Sequence, residues 1–353
     1  PPHADGTLPL PLDVPAKGKC FVNICYHCKQ DSALIKADHL LGFDEIPLQN
    51  SDPRNQDAVQ LLGRPAGDGL ITIRETDRML VLSCEQFTYV FNKLTGLFDK
   101  MTFANEPLLD QPMGFNVWRA PTDNDRKLKA DWYAAHYDHA ATNAYHTEYT
   151  VTASGVTLHT HVGIAAICVQ KFLDLDVTWT VANNGSVDLA LHAQRNTVFP
   201  ELPRFGLRLF LPQEMSQVNY YGMGPMECYC DKHHAASHNS YTATVWQLHE
   251  DYIRPQENGS HFDCDYVMLA GDAVRLTAVG TQPFSFNASH YTQEELTRKA
   301  HNYELEPCSS TVLCLDYAQN GIGSESCGPR LLEQYRLDDA TFNFGLRLFP
   351  EKK

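Results

Sequence analysis

FLDLDVTWTVANNGSVDLAL, residues 172–191, decides the fold class. Leu173, Leu175, Val177, Trp179 and Val181 alternate with Asp174, Asp176, Thr178 and Thr180. Successive strand side chains point to opposite faces, so this period of two describes a strand with one apolar and one wet face. Asn183-Asn184-Gly185 supplies turn residues, after which Val187, Leu189 and Leu191 resume the alternation. Upstream, Val156, Leu158, Thr160 and Val162 repeat it, with His159 and His161 on the solvated face.

Working outward, strands are expected over 79–91, 205–211, 216–221, 262–270, 273–279, 283–289, 311–317 and 341–349. So many antiparallel-type strands predict an all-β chain built as a large antiparallel sandwich. Helices are few. Leu128, Trp132 and Ala135 at i, i+4, i+7 predict one over 129–138, and a Thr292/Glu295 capping box opens another over 293–300. The hexapeptide FGLRLF stands at 205–210 and again at 344–349 with nothing matching around it, two independent arrivals at a good strand sequence. CFVNICYHC, residues 20–28, also alternates, which sets Cys25 and Cys28 on opposite faces and argues for a strand over a zinc site.

Composition limits the partners. A net charge of −15 with no basic run argues against nucleic acid and against an anionic membrane surface, both of which need a positive patch. No apolar run approaches the roughly 18 residues of a membrane span, and PPHADGTLPLPL lacks the basic and apolar parts of a signal peptide. The first residue is not methionine, and residues 1–48 are too few to close a sandwich, so a fragment of a longer chain is expected. The aperiodic stretch 49–69, rich in Asn, Asp, Pro and Gly, predicts a boundary. Eleven irregularly spaced cysteines fit a reducing, cytoplasmic setting better than a disulfide framework.

No self-sufficient catalytic motif is present. Residues 323–328, GSESCG, lack nucleophile-elbow spacing, and Gly321 and Gly323 are not followed by the third glycine of a dinucleotide loop. Glycoside hydrolysis needs two opposed carboxyl groups, about 5–5.5 Å apart in retaining enzymes and wider in inverting ones. Asp123 and Asp125, Glu227 and Asp231, and Glu257 all sit in Gly- or Pro-bearing loops. Short polar side chains in TDND, residues 122–125, serve equally well to bind backbone amides and start the next helix.

Five stretches, in order, carry a family resemblance. NVWRAPTDNDR (116–126) resembles the R-A-P-x-D-N-D signature of the small-chain, or fifth, domain of family-2 glycoside hydrolase β-galactosidases. YYGMGPMECYCDK (220–232), IRPQENG (253–259), FSFNASHYTQEEL (284–296) and NGIGSESCGPRLLEQYRL (320–337) are similar to later stretches of that domain. Residues 21–48 are similar, more loosely, to the end of the immunoglobulin-like domain before it. The resemblance implies a partial immunoglobulin-like β-sandwich over 1–50, a linker over 51–72 and a galactose mutarotase-like β-supersandwich over 73–353.

It also implies where the chemistry lies. In that family the proton donor and nucleophile are glutamates of a central α/β barrel, which commonly holds Mg and Na, so no catalytic residue and no metal site are expected in this chain. The implied partners are that barrel or large subunit, a galactoside and further copies of the complete enzyme. The substrate-binding positions implied are Trp118, Arg119, Asp123, Asn124, Ser326 and Cys327. The loop from Arg126 to Ala130 is short, and Cys327 stands where some members carry a sugar-stacking tryptophan; Trp118 or Trp132 is a possible substitute. The alternative reading is a free-standing aldose 1-epimerase-like protein using His233, His234, His238 and Glu227, or a simple carbohydrate-binding module.

Overall fold

The segment at 172–191 forms an antiparallel hairpin in the computed structural model, which describes residues 5–7 and 9–353. Gly185 in its turn takes φ +83°, and a Cβ there would lie 3.1 Å from the Phe87 ring, so conformation and space both require glycine. The chain divides after Gly63 into two compact units.

In the first unit β1 (Cys20–His27) and β2 (Leu40–Leu48) pair antiparallel as a two-stranded sheet, followed by α1 (Gln56–Leu62). This helix lies inside the stretch expected as linker. Asn55, which reads as a turn residue, is its N-cap and accepts the Ala58 amide at 3.0 Å.

The second unit opens with β3 (Thr72–Glu75), β4 (Met79–Ser83), β5 (Phe87–Asn92), β6 (Leu97–Phe103) and β7 (Glu106–Pro107), a five-stranded sheet in chain order. Then come β8 (Gln111–Asn116), α2 (Leu128–Ala134), β9 (Ala141–Thr152), β10 (Gly155–Ala165), β11 (Leu173–Ala182) and β12 (Val187–Arg195). They are followed by β13 (Arg204–Pro212), β14 (Gln217–Gly224), β15 (Ser237–Thr244), β16 (Ser260–Ala270) and β17 (Val274–Ser289). The chain ends with α3 (Gln293–Arg298), β18 (Ser310–Gln319) and β19 (Thr341–Lys352). These later strands form a 12-stranded antiparallel sheet in the order β15-β14-β16-β17-β19-β12-β11-β10-β9, with β18, β13 and β8 branching from β17. The unit is an all-β supersandwich.

One hydrophobic core runs from the five-stranded sheet and β10 to β12 on through β13, β14 and β16 to β19. Trp179 packs edge-on against Phe98 at 5.4 Å and donates its indole N–H to the Gly96 carbonyl at 3.0 Å. Tyr89, fully buried, donates to the Gly185 carbonyl at 2.7 Å, so both rings bury their area with their polar atoms satisfied.

Several expected elements differ. The 79–91 strand is two, because the buried set changes parity from Leu80 and Leu82 to Phe87, Tyr89 and Phe91 across a turn at Glu85-Gln86. The strands 273–279 and 283–289 are one: β17 pairs with β19 through its first half and with β18 through its second. The helix expected over 129–138 stops at Ala134. Thr292 caps α3 by accepting the Glu295 amide, but the Glu295 carboxylate turns away to the Glu306 amide and Arg298 instead of closing the box. β9 and β15, neither of them expected, are the two edges of the long sheet; β9 is mostly exposed and β15 mostly half-buried, and neither has a buried face that would leave an apolar period to read.

Candidate functional site

Antiparallel register gathers the signature loops at one end of the sheet. Arg204 at the start of β13 pairs with Gln319 at the end of β18, and Gly206 pairs with Asn116 at the end of β8. Asp316 of β18 pairs with Ser285 of β17, and Ser260 at the start of β16 pairs with Asn287 of β17. The loops after β8 and β18 and the loop before β16 therefore leave from the same edge.

The first loop is held from beneath. Arg119 is fully buried, with its Nη2 2.7 Å from Asp125 Oδ1 and its Nε 3.2 Å from Oδ2. It also donates to the carbonyls of Asn320 and Gly321, and its guanidinium lies over Trp132 at 5.1 Å. Asp125 Oδ2 further accepts the Thr122 amide at 2.9 Å. One arginine thus ties the loop after β8 to the loop after β18.

A second buried arginine ties in the third loop. Arg204 binds Asp316 through Nε at 3.1 Å and Nη2 at 2.5 Å, and Glu257 through Nη1 at 2.5 Å. Glu257 Oε2 accepts the Ala120 amide at 3.2 Å, while the Glu257 amide donates to the Ala120 carbonyl at 2.9 Å. Burial raises both the Glu257 and the Asp316 carboxyls, with Arg204 pulling the other way. Such groups hold shape; they offer nothing to solvent.

Above this base lies a half-open cavity of about 410 Å³, walled by Thr122–Asn124, Asp231–Lys232, Gln256–Glu257, Ile322–Gly323 and Tyr252. Asn124 donates to the Ile322 carbonyl, and Gln256 Oε1 accepts the Asp123 amide at 3.0 Å. Asp231 accepts the amides of Ile322 at 2.9 Å and Gly323 at 2.7 Å. The Asp123 carboxylate is exposed and has no hydrogen-bond partner among the described residues.

Of the six implied binding positions, the structure brings Asp123 and Asn124 to this cavity. Trp118 is buried, its indole N–H on Thr297 at 3.2 Å, and Arg119 lies behind the wall. Ser326 is half-buried and Cys327 exposed, further along the 321–328 loop and outside the cavity lining. Trp132, the other possible aromatic platform, is fully buried with its indole N–H on the Glu201 carbonyl at 2.9 Å. Asp125 and Glu257, weighed from sequence as possible catalytic acids, are structural anchors. Arg204, Lys232, Tyr252 and Gln256 carry no signal of this role in the sequence; Arg204 is one of two arginines in its strand, and nothing local separates it from Arg208.

Glu227, His233 and His234 do converge, in an adjoining cavity of about 470 Å³ that also shares Lys232 and Tyr252. His238 instead stands on β15, its Nε2 2.7 Å from Asp263. Glu227 is not free as an acid or base: it accepts Lys232 Nζ at 2.6 Å, the Gly259 amide at 2.9 Å and the Tyr252 hydroxyl. Burial, and then that bond to Glu227, raise the Tyr252 phenol. No group of three or more His, Cys, Asp or Glu among the described residues is arranged to hold a metal ion.

The profile of the beta galactosidase small chain family matches residues 83–348. The chain belongs to that family. This family member is 37% identical over 351 residues to the beta-galactosidase of Actinobacillus pleuropneumoniae, covering 99% of this chain and 34% of that protein. It is 34% identical over 348 residues to the beta-galactosidase of Staphylococcus xylosus, covering 98% and 34%. The small-chain sequence thus spans about a third of the length of the curated relatives it matches. Among solved structures, a galactose mutarotase-like protein from Lactobacillus casei aligns over 77% of this chain and all of its own, at 10% identity and a TM-score of 0.41. No helix among the described residues is long and apolar enough to cross a membrane.

Proposed function

We propose that this chain is the non-catalytic C-terminal part of a β-galactosidase, one that completes the wall of a site for terminal β-D-galactosides. The hydrolytic acid and nucleophile come from a barrel-bearing partner or preceding segment, which also carries any Mg or Na. One observation carries the reading: of the three carboxylates facing the loop cavity, Asp231 and Glu257 are engaged by backbone amides and Arg204, leaving Asp123 alone. A single free carboxylate can accept sugar hydroxyls, whereas glycoside cleavage needs two opposed across the ring. Asp123 and Asn124 are the contacts this chain offers, with Ser326 and Cys327 on the neighbouring loop reaching a sugar held against the barrel. Oligomer contacts of the complete enzyme, in a reducing cytoplasm suited to cysteines that are all free among the described residues, belong to the same proposal.

The test is complementation. The chain alone is expected to leave a chromogenic galactoside intact, and hydrolysis is expected on mixing with the barrel-containing remainder. Asp123→Asn should lower kcat/KM of the mixture about tenfold. Turnover by the isolated chain, or galactose mutarotation by it, would overturn the proposal.

A further inference from the structure

Three of the four tryptophans are core residues; Trp246 is 51% exposed. Its position is fixed by a short helical turn, Val245–Leu248. There Thr244 accepts the Gln247 amide at 3.2 Å, the Gln247 side chain accepts the Thr244 amide at 2.8 Å, and Val245 and Leu248 are buried as anchors. The buried ring of His290 lies against Trp246 at 4.6 Å, and Tyr291 meets it edge-on at 5.9 Å. The indole is therefore rigidly backed on the protein side and open on the other. A side chain of this size held out of the core, with its backbone immobilised, is a preorganised apolar plane.

The surroundings say what such a plane suits. Tyr291 also meets His249 at 5.0 Å, and two residues beyond His249 in the chain is the exposed Asp251, whose charge, after burial, raises the Tyr291 phenol. Asp251 takes one bond, from the Asn302 side chain at 3.0 Å, leaving its second oxygen open. Tyr303, 79% exposed, follows Asn302 on the same rim. An apolar protein segment laid over this patch would bury a carboxylate and a phenol without partners. An anionic ligand would meet Asp251 on a chain of net charge −15. A pyranose fits both demands: its C–H face covers an aromatic plane, and its hydroxyls donate to the carboxylate. Tyr252 lines the loop cavity while its neighbour Asp251 lies on this patch, and none of Trp246, Tyr291 and Asp251 lines that cavity.

We infer that Trp246, Tyr291 and Asp251 form a carbohydrate-binding surface for a neutral hexopyranoside, with Trp246 as the stacking plane and Asp251 as the hydroxyl acceptor. The inference stands apart from the loop-wall reading, since it needs neither Asp123 nor a barrel partner.

Trp246, as the exposed indole, makes the test direct. Acrylamide quenching of the intrinsic fluorescence of the full chain reports on Trp246 above the buried indoles. Titration with lactose, and in parallel with methyl β-D-galactopyranoside, methyl β-D-glucopyranoside and myo-inositol, is expected to protect the emission with the pyranosides only. Isothermal calorimetry then follows the same sugars with variants. Trp246→Ala should weaken pyranoside binding at least about tenfold, and Asp251→Asn several-fold with the stacking retained. Protection of the Trp246 emission is read on this chain without the barrel, and the loop-wall proposal is read as hydrolysis by the mixture, so loss of the loop-wall proposal and loss of this one are separable. Circular dichroism of Trp246→Ala should match the parent. The inference fails if no pyranoside protects the indole, if Trp246→Ala binds as the parent does, or if protection comes only from the barrel-containing remainder, which would make the patch a protein interface.

Discussion

Replacing Asp125 with alanine tests whether the loop wall rests on a buried charge pair. The carboxylate accepts two bonds from Arg119, at 2.7 and 3.2 Å, and the Thr122 amide at 2.9 Å, while both partners are almost without exposed surface. Asp125→Ala leaves the Arg119 guanidinium in the interior with only the carbonyls of Asn320 and Gly321 and the Trp132 face. Stranding one member of a buried pair costs about 3–5 kcal/mol, and that is the expected loss in urea denaturation followed by circular dichroism. Adding Arg119→Met removes the stranded charge but deprives two carbonyls of their donor, a cost of about 1–3 kcal/mol. The double variant is therefore expected to be more stable than Asp125→Ala alone by at least about 1 kcal/mol, a coupling a double-mutant cycle measures directly. If Asp125→Ala costs less than about 1 kcal/mol, or the second substitution only adds to the damage, the pair is not the anchor described here.

Other consequences are equally open to measurement. Burial holds the His261 imidazole neutral down to about 4 from a usual 6.5, so the folded state binds fewer protons than the unfolded in that window. This contribution is complete above 6.5 and lost as pH falls to 4, about 3 kcal/mol in all, and His261→Gln should flatten that part of the stability–pH curve. In the two FGLRLF copies, a Cβ on Gly206 would lie 2.3 Å from the Leu315 carbonyl oxygen, whereas on Gly345 it would meet the exposed Thr281 side chain at 2.4 Å. Gly206→Ala should cost about 1–3 kcal/mol and Gly345→Ala clearly less, since a rotamer change can relieve the second contact but not the first. Asp231→Asn exchanges one of two charge-assisted acceptors for an amide donor facing an N–H, so hydrogen exchange at Ile322 and Gly323 should quicken about tenfold or more while global stability changes little.

Legibility followed the solvent. Strands with one wet and one dry face, such as β11 and β12, carry their geometry in their own alternation and were readable to within a residue or a few. Edge strand β9 lies mostly in water and edge strand β15 is mostly half-buried with no fully buried residue, so no burial pattern marks them. In the site, the motif stretches identify the loops, yet local sequence assigns no side chain in them a direction. Asp123 and Asp125 are two residues apart and chemically identical, and one faces the cavity while the other is buried against Arg119.

By itself the sequence determined an all-β chain, its half-buried strands and the loops in which function is sought, because alternation and turn chemistry act between neighbours along the chain. Only the tertiary structure decided which acids are anchors and which tryptophan is exposed. Those outcomes depend on pairings such as Arg204 with Asp316 and Glu257, separated by 112 and 53 residues, and on the sheet register that brings them into reach. Desolvation falls on a charge according to what surrounds it in space, and that environment is assembled by strands whose partners lie far away in the chain.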